Sequence, residues 1–365
     1  MLEINARRSG YLFAAAVLVA GCSDDAATDG GGGEPLGGSV NAGAGDTGGE
    51  GPRGGANEGG GGGGSPTAEL EAVVDFDETT FELPEGLFIA GDSALVGFGT
   101  SGAVDSFALP GAERSAFATF PLLTPDVSFM TGVTLAPDDA LLAAIVSFSP
   151  DLTAGVYRAA TQGEQGTLWA SHPQMVFPNG FAWHEGDLYV TDSAFGGVFK
   201  IDSAGIATPW LVDPTLSAQP TACGGAADSL AVGANGVVEQ AGSLYIASSN
   251  QGILVKVPVS PEGEPGPLEI VAGPDCDALA GIDGITLDSD GSIIAAVNAK
   301  NRIVRITESG AISTIVEGGP LDFPASVAFA GSGAERALYI TSFAVINATT
   351  GQPANPGLLR LAMPQ

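Results

Sequence analysis

One short pattern recurs six times between residues 85 and 326, and it leaves few folds open. Each copy opens on a residue pair: Glu85-Gly86, Thr131-Gly132, Asn179-Gly180, Asn235-Gly236, Asp283-Gly284 and Ala325-Ser326, at intervals of 46, 48, 56, 48 and 42 residues. An apolar residue, a polar or glycine turn and a second apolar run follow each pair, such as Ala94-Leu95-Val96, Leu188 to Thr191 or Leu244 to Ala247. The third copy is the clearest. After Pro178-Asn179-Gly180 it reads as strand Phe181-Ala182-Trp183, a Glu-Gly-Asp turn, strand Leu188 to Thr191, a Gly196-Gly197 turn and strand Val198 to Ile201, with a fourth strand over Thr208–Val212. A lone four-stranded antiparallel sheet cannot cover both of its faces, so the copies must stack on one another. A period of 40 to 50 residues with four strands per unit predicts an all-β protein, a six-bladed β-propeller. A β-sandwich would need the six phases to coincide by chance.

The ends of the repeat region fit this reading. The sixth unit offers strands at Val327–Ala330, Leu338–Thr341 and Leu358–Leu361, but no fourth. Residues Leu70–Phe76, ahead of the first unit, are expected to supply it and so close the ring, which leaves no open sheet edge. The propeller is thereby assigned to residues 66–365.

The preceding sequence has a different character. Arg7-Arg8, an apolar run from Tyr11 to Ala20 and the small residues before Cys22 read as a lipoprotein signal peptide over residues 1–21, with Cys22 the lipidated residue. The run is too short to stay as a membrane span; a cleaved signal with an incidental Cys is the alternative. Ser23, in place of Asp, after the Cys favours the outer membrane, on its periplasmic or cell-surface face. Residues 22–65 then form a tether: between 24 and 65 there are 19 glycines in 42 residues. Such a stretch cannot bury enough apolar surface to order itself, and as a flexible coil it spans about 35 Å.

The whole chain carries 42 acidic against 12 basic Lys and Arg residues, a formal charge of −30. No basic patch can be assembled from that balance, which excludes nucleic acid and leaves the lipid anchor as the only membrane contact. A small molecule is the expected partner, and the propeller is expected to be a monomer. With Cys22 spent on lipid, Cys223 and Cys276 remain, each shortly before an opening pair in consecutive units. In an oxidising compartment a disulfide between them is expected, two separate buried thiols being the alternative.

Inner strands of a propeller start beside its axis, so the six opening residues converge at one end of the tunnel. Glu85, Asn179, Asn235 and Asp283 are oxygen donors of the kind Ca²⁺ takes, and no Cys or His stands among the six. These four are the candidate ligands of a divalent cation, most simply Ca²⁺. The glycine behind each is read as freeing the strand to turn sharply into the axis. Thr131 and Phe177 are candidate pocket residues; Phe177 and Met175, with Phe129 and Phe323 just before other openings, either make the pocket apolar or pack between blades. His172 lies in the loop entering the third unit on the same side, a candidate proton shuttle. His184 falls near the far end of its strand and reads as a satisfied or solvent-facing side chain.

These features together resemble the senescence-marker-protein/gluconolactonase (regucalcin) family, with paraoxonases and strictosidine-synthase-like proteins as more distant relatives. The resemblance rests on Glu85-Gly86, Pro178-Asn179-Gly180 with Leu188 to Ser193, and Ile282-Asp283-Gly284 with Asn301 to Ile306, and runs from about Leu83 to the C-terminus. It implies one divalent cation, usually Ca²⁺, held from blades one, three, four and five, the units that carry Glu85, Asn179, Asn235 and Asp283. It also implies hydrolysis of a lactone or related ester, with Asp283 either the general base or solely a ligand. Two departures stand out. Gluconolactonases place an Arg where this chain has Phe177, and only His172 and His184 are available for the His pair that paraoxonases use. The leading expectation is a membrane-tethered, metal-dependent lactonase or esterase-like hydrolase. The alternative is a propeller that binds a ligand or protein without catalysis, its metal structural. Substrate choice is expected to lie with two stretches, Ala344–Pro356 as a lid and Pro214–Asp228 as a wall.

Overall fold

The computed structural model describes residues 70–124, 127–225 and 232–364. The signal peptide, Cys22 and the tether lie outside the described residues, as does part of the stretch Pro214–Asp228. Six antiparallel four-stranded sheets form the blades of a propeller. Blade one comprises Pro84–Ala90, Ser93–Phe98, Ala103–Ala108 and Glu113–Thr119; blade two, Ser128–Leu135, Leu141–Ser147, Gly155–Ala159 and Thr167–Ala170. Blade three runs through Pro178–His184, Asp187–Asp192, Gly197–Ile201 and Ala207–Val212, and blade four through Ala234–Gln240, Ser243–Ser248, Ile253–Pro258 and Glu269–Ala272. Blade five contains Ile282–Leu287, Ile293–Val297, Arg302–Ile306 and Ile312–Glu317.

Blade six contributes Pro324–Ala330, Ala337–Ser342 and Gly357–Ala362, and its outer strand is Leu70–Asp75, paired antiparallel with Gly357–Ala362. The predicted closure is therefore present. Arg360 reinforces it through an ion pair with Glu71 at 2.5 Å, across 289 residues of sequence.

Packing explains the strand sequences. Each second strand is sandwiched between two neighbouring blades, so both its faces are buried and it loses the usual polar alternation. Leu141–Ser147 (LLAAIVS) and Ile293–Val297 (IIAAV) are buried throughout. The apolar residues gather into one cluster at each of the six blade interfaces, for example Tyr245, Ala247 and Leu254 of blade four against Ile285, Ile293 and Val304 of blade five. A seventh cluster, Leu83, Ala325, Phe343 and Val345, packs beneath a short helix, Val345–Thr350. Outer strands are wet: Glu113–Thr119 is mostly exposed. Among the described residues no helix is long and apolar enough to cross a membrane.

Candidate metal centre

All six opening pairs are β-bulges. The register of the inner strand against the second strand slips between Pro84 and Gly86, Met130 and Val133, Pro178 and Phe181, Ala234 and Val237, Ile282 and Ile285, and Pro324 and Val327. A bulge leaves a residue out of the ladder and re-aims its side chain. Repeated at one phase around a ring, it turns five of the six side chains toward one cavity, the sixth, Ala325, packing with Leu83 and Phe343.

The glycine after each opening residue has a different reason from the one expected. None of Gly86, Gly132, Gly180, Gly236 and Gly284 has a positive φ. What forbids a side chain is the next blade. A Cβ on Gly86 would stand 2.6 Å from the carbonyl oxygen of Thr131, on Gly132 2.4 Å from that of Asn179, and on Gly180 2.8 Å from that of Asn235. On Gly236 it would stand 2.3 Å from Asp283 O, and on Gly284 2.5 Å from Ala325 O. The opening backbones pack shoulder to shoulder around the axis, and at these five positions only hydrogen fits between them.

Hydroxyls tie the same ring together. Thr341 Oγ1 donates to Glu85 O at 2.9 Å, Thr131 Oγ1 to Pro178 O at 2.8 Å and Ser193 Oγ to Ala234 O at 2.7 Å; Thr191 donates to Asn235 O and Ser249 to Ile282 O. Each bond crosses from one blade to the next. The two serines also orient candidate ligands: Asn179 Nδ2 donates to Ser193 Oγ at 3.4 Å, and Asn235 Nδ2 to Ser249 Oγ at 2.9 Å.

Glu85, Thr131, Asn179, Asn235 and Asp283 all line one cavity of about 250 Å³. Phe177 and Phe129 form part of its wall, and Phe323, Phe343 and Ile346 another part. Met175 is not there; it is buried in the core between blades two and three. Thr131 faces the cavity with its hydroxyl already used on Pro178.

Burial is severe for the two acids. Glu85 and Asp283 are each 7% exposed. Desolvation, and then the charge of Asp283, push the Glu85 carboxyl well above its ordinary range. Desolvation likewise raises Asp283 to about 7, against hydrogen bonds from Asn298 and Asn235 that favour its anion. Asn298 Nδ2 donates to Asp283 Oδ2 at 2.9 Å. No Lys, Arg or His is among the described residues lining the cavity. Glu85 Oε2 and Asn235 Oδ1 are buried and have no hydrogen-bond partner. Buried polar atoms are nearly always paired, so two orphaned acceptors beside a second carboxylate mark a place for a cation. A donor set of two carboxylates and two amide carbonyls fits a hard, oxygen-seeking ion such as Ca²⁺. Among the described residues no three His, Cys, Asp or Glu side chains come together, so Asn is needed to complete any such set.

The remaining expectations divide: His172 and the stretch Ala344–Pro356 meet a different geometry, while His184 and the two cysteines meet the expected one. His172 does not line the cavity; its Nδ1 accepts from the Gln174 N–H at 3.2 Å and its ring lies 5.3 Å from Phe199. Its position gives the proton-shuttle role no support. His184 sits with Nδ1 3.3 Å from Glu239 Oε1. The stretch Ala344–Pro356 is a pinned wall and not a loose lid: Asp322, 4% exposed, accepts from Asn347 Nδ2 and from the Asn355 N–H, both at 2.9 Å, and so clamps the helix Val345–Thr350. Cys223 and Cys276 are disulfide-bonded, with Cα atoms 5.0 Å apart, and Cys223 borders the cavity. Asn298, Asp322 and the serines 193 and 249 were not anticipated. A signal existed: Ser193 and Ser249 each fall fourteen residues after an opening Asn.

Fold and site together define a six-bladed propeller with an acidic, amide-flanked axial centre. A family profile described as the SMP-30/Gluconolactonase/LRE-like region matches residues 239–344, which include Asp283, Asn298 and Asp322 but not Glu85, Asn179 or Asn235. The resemblance noted from the sequence is thus independently found over the second half of the propeller. No curated protein sequence matches the chain significantly. Solved structures share the fold. A luciferin-regenerating enzyme superposes with a TM-score of 0.58 at 12% identity, over 81% of this chain and 95% of its own. The calcium-binding protein regucalcin from Agrobacterium tumefaciens gives 0.56 at 18%, over 81% and 93%. A virginiamycin B lyase from Staphylococcus aureus gives 0.50 at 12%, over 81% and 100%. At these identities the likeness is one of fold, and it extends to proteins of more than one chemistry.

Proposed function

We propose that the chain is a divalent-cation-dependent hydrolase of lactones or related esters, carried on the cell envelope by a lipid at Cys22. The observation that carries the metal reading is the pair of orphaned acceptors, Glu85 Oε2 and Asn235 Oδ1, beside buried Asp283 in a cavity whose described lining has no cationic side chain. Glu85, Asn179, Asn235 and Asp283 would hold the ion, with the serines 193 and 249 fixing the amides so that their carbonyls are free for it. When bound, a Ca²⁺-type ion supplies Lewis-acid polarisation of a carbonyl. That regucalcin is described as calcium-binding, and that the matched profile names gluconolactonase, supports this choice of ion and of reaction.

Asp283 is the base. Asn298 holds its Oδ2 in place, and the cation that Asp283 helps to hold would keep it ionised, the form that can accept a proton. Water adds its oxygen to the carbonyl carbon while Asp283 takes its proton. The carbon–oxygen bond of the ester then breaks, and the same proton passes to the departing alkoxide, leaving an acid and an alcohol. The test is metal content of the purified protein, followed by a lactone and aryl-ester panel with Ca²⁺, with EDTA, and with Asp283→Asn. Bound Ca²⁺ and turnover that EDTA and D283N both abolish are expected. Negligible rates in all three conditions would leave a binding propeller with a structural ion. For the anchor, Cys22→Ala should move the protein from the membrane to the soluble fraction.

A further inference from the structure

The aromatic wall of the cavity does not stop at the cavity. Phe129 and Phe177 meet edge to face, with ring centroids 5.2 Å apart. Phe148 packs against both, at 6.4 and 6.3 Å, and is 46% exposed. Five large apolar side chains among the described residues are this exposed; Leu168, Ile206, Val212 and Ile270 lie on or beside outermost blade strands. Phe148 alone abuts the cavity wall. The three rings therefore make a continuous apolar track from the axial centre out to solvent.

The aromatic side of the cavity is unsuited to a sugar. Six amides border the polar side: Asn179 and Asn235 belong to the cation site, and the other four each give one group to the protein. Asn250 Oδ1 accepts from the Val232 N–H at 2.6 Å and Asn301 Oδ1 from the Phe323 N–H at 2.7 Å. Asn298 donates to Asp283 and Asn347 to Asp322. Hydroxyls laid along the phenylalanines would lose water without gaining partners. A carboxylate at the end of a tail would lie against the phenylalanines, away from the cation, with no basic side chain among the described lining residues to receive it.

We propose that the site selects uncharged lactones or esters bearing a linear alkyl tail, the tail lying along Phe129, Phe177 and Phe148. The reaction assumed rests on the hydrolase reading above; the selectivity of binding does not. Two measurements separate them. The first uses alkyl-substituted lactams, which are not turned over, titrated calorimetrically into the Ca²⁺-loaded protein. Affinity should rise about fourfold per added methylene, the fold-change that corresponds to about 0.8 kcal/mol for a buried CH₂, with a negative heat-capacity change. Phe148→Ala should flatten that rise for the longer tails, its melting temperature serving as the check on folding. The second compares kcat/KM across the matching lactones, a sugar lactone, and a lactone whose tail ends in a carboxylate; the same gradient is expected, with the last two poorest. Rising lactam affinity without lactone turnover would sink the hydrolase reading and keep this one. Absent or length-independent lactam binding, or a preference for the sugar lactone, would overturn it.

Discussion

Glu85 and Asp283 decide how the centre behaves. Asp283 moves from an ordinary 3.8 to about 7 on folding, and Glu85 moves the same way, through burial first. A carboxyl raised on folding favours the protonated fold: its contribution is complete below its unfolded pKa and is lost as pH rises through its folded one. The metal-free protein should therefore melt at a lower temperature at pH 8 than at pH 5, and Ca²⁺ should raise the melting temperature more at pH 8. An equal or larger Ca²⁺ effect at pH 5 would contradict this. Glu85→Gln and Asp283→Asn should each flatten the pH dependence of the metal-free protein. Both should also abolish the Ca²⁺ stabilisation, which at a hundredfold excess over Kd is worth about 2.7 kcal/mol in the parent; scanning calorimetry reads both. The residue identities were legible because an oxygen-bearing side chain at one phase of a repeat is visible without coordinates. Which partners complete the centre was not. Asn298 comes fifteen residues after Asp283, at the end of the next strand, and nothing local distinguishes it from an ordinary turn residue.

At the scale of the element, the bulge is what matters. The opening glycines looked like turn residues in sequence, yet their backbone is unexceptional and the constraint comes from the adjacent blade, which a local pattern cannot report. Gly236→Ala places a methyl against Asp283 O and should cost about 1–3 kcal/mol as an overpacked site. It should also weaken Ca²⁺ binding, since the backbone that must yield carries a ligand. Gly111→Ala, where an added Cβ meets nothing within 4 Å, should change stability by no more than about 0.5 kcal/mol. Chemical denaturation of the two variants side by side checks the contrast. The stretch Ala344–Pro356 was legible as a long connection but not as a helix, because its fixed shape depends on Asp322, more than twenty residues earlier.

For the whole molecule, blade count, blade order and the closing strand followed from periodicity alone, since six sheets of this size have one economical way of covering one another. Removing residues 70–75 should lower the melting temperature of the entire propeller and not just fray one blade, because Gly357–Ala362 would be left as an open edge. Thermal melts followed by circular dichroism would show this; an unchanged midpoint would rule it out.

That closure also sets an order of assembly. Every other blade is built from consecutive strands and can pair as soon as they meet, whereas this joint brings together segments on either side of the other five blades, with 289 residues between Glu71 and Arg360. Pairing over such a span forms late, because the intervening chain must be gathered in before the contact rewards it. Until then Gly357–Ala362 keeps a bare edge, the condition in which β-rich chains are most exposed to wrong pairing.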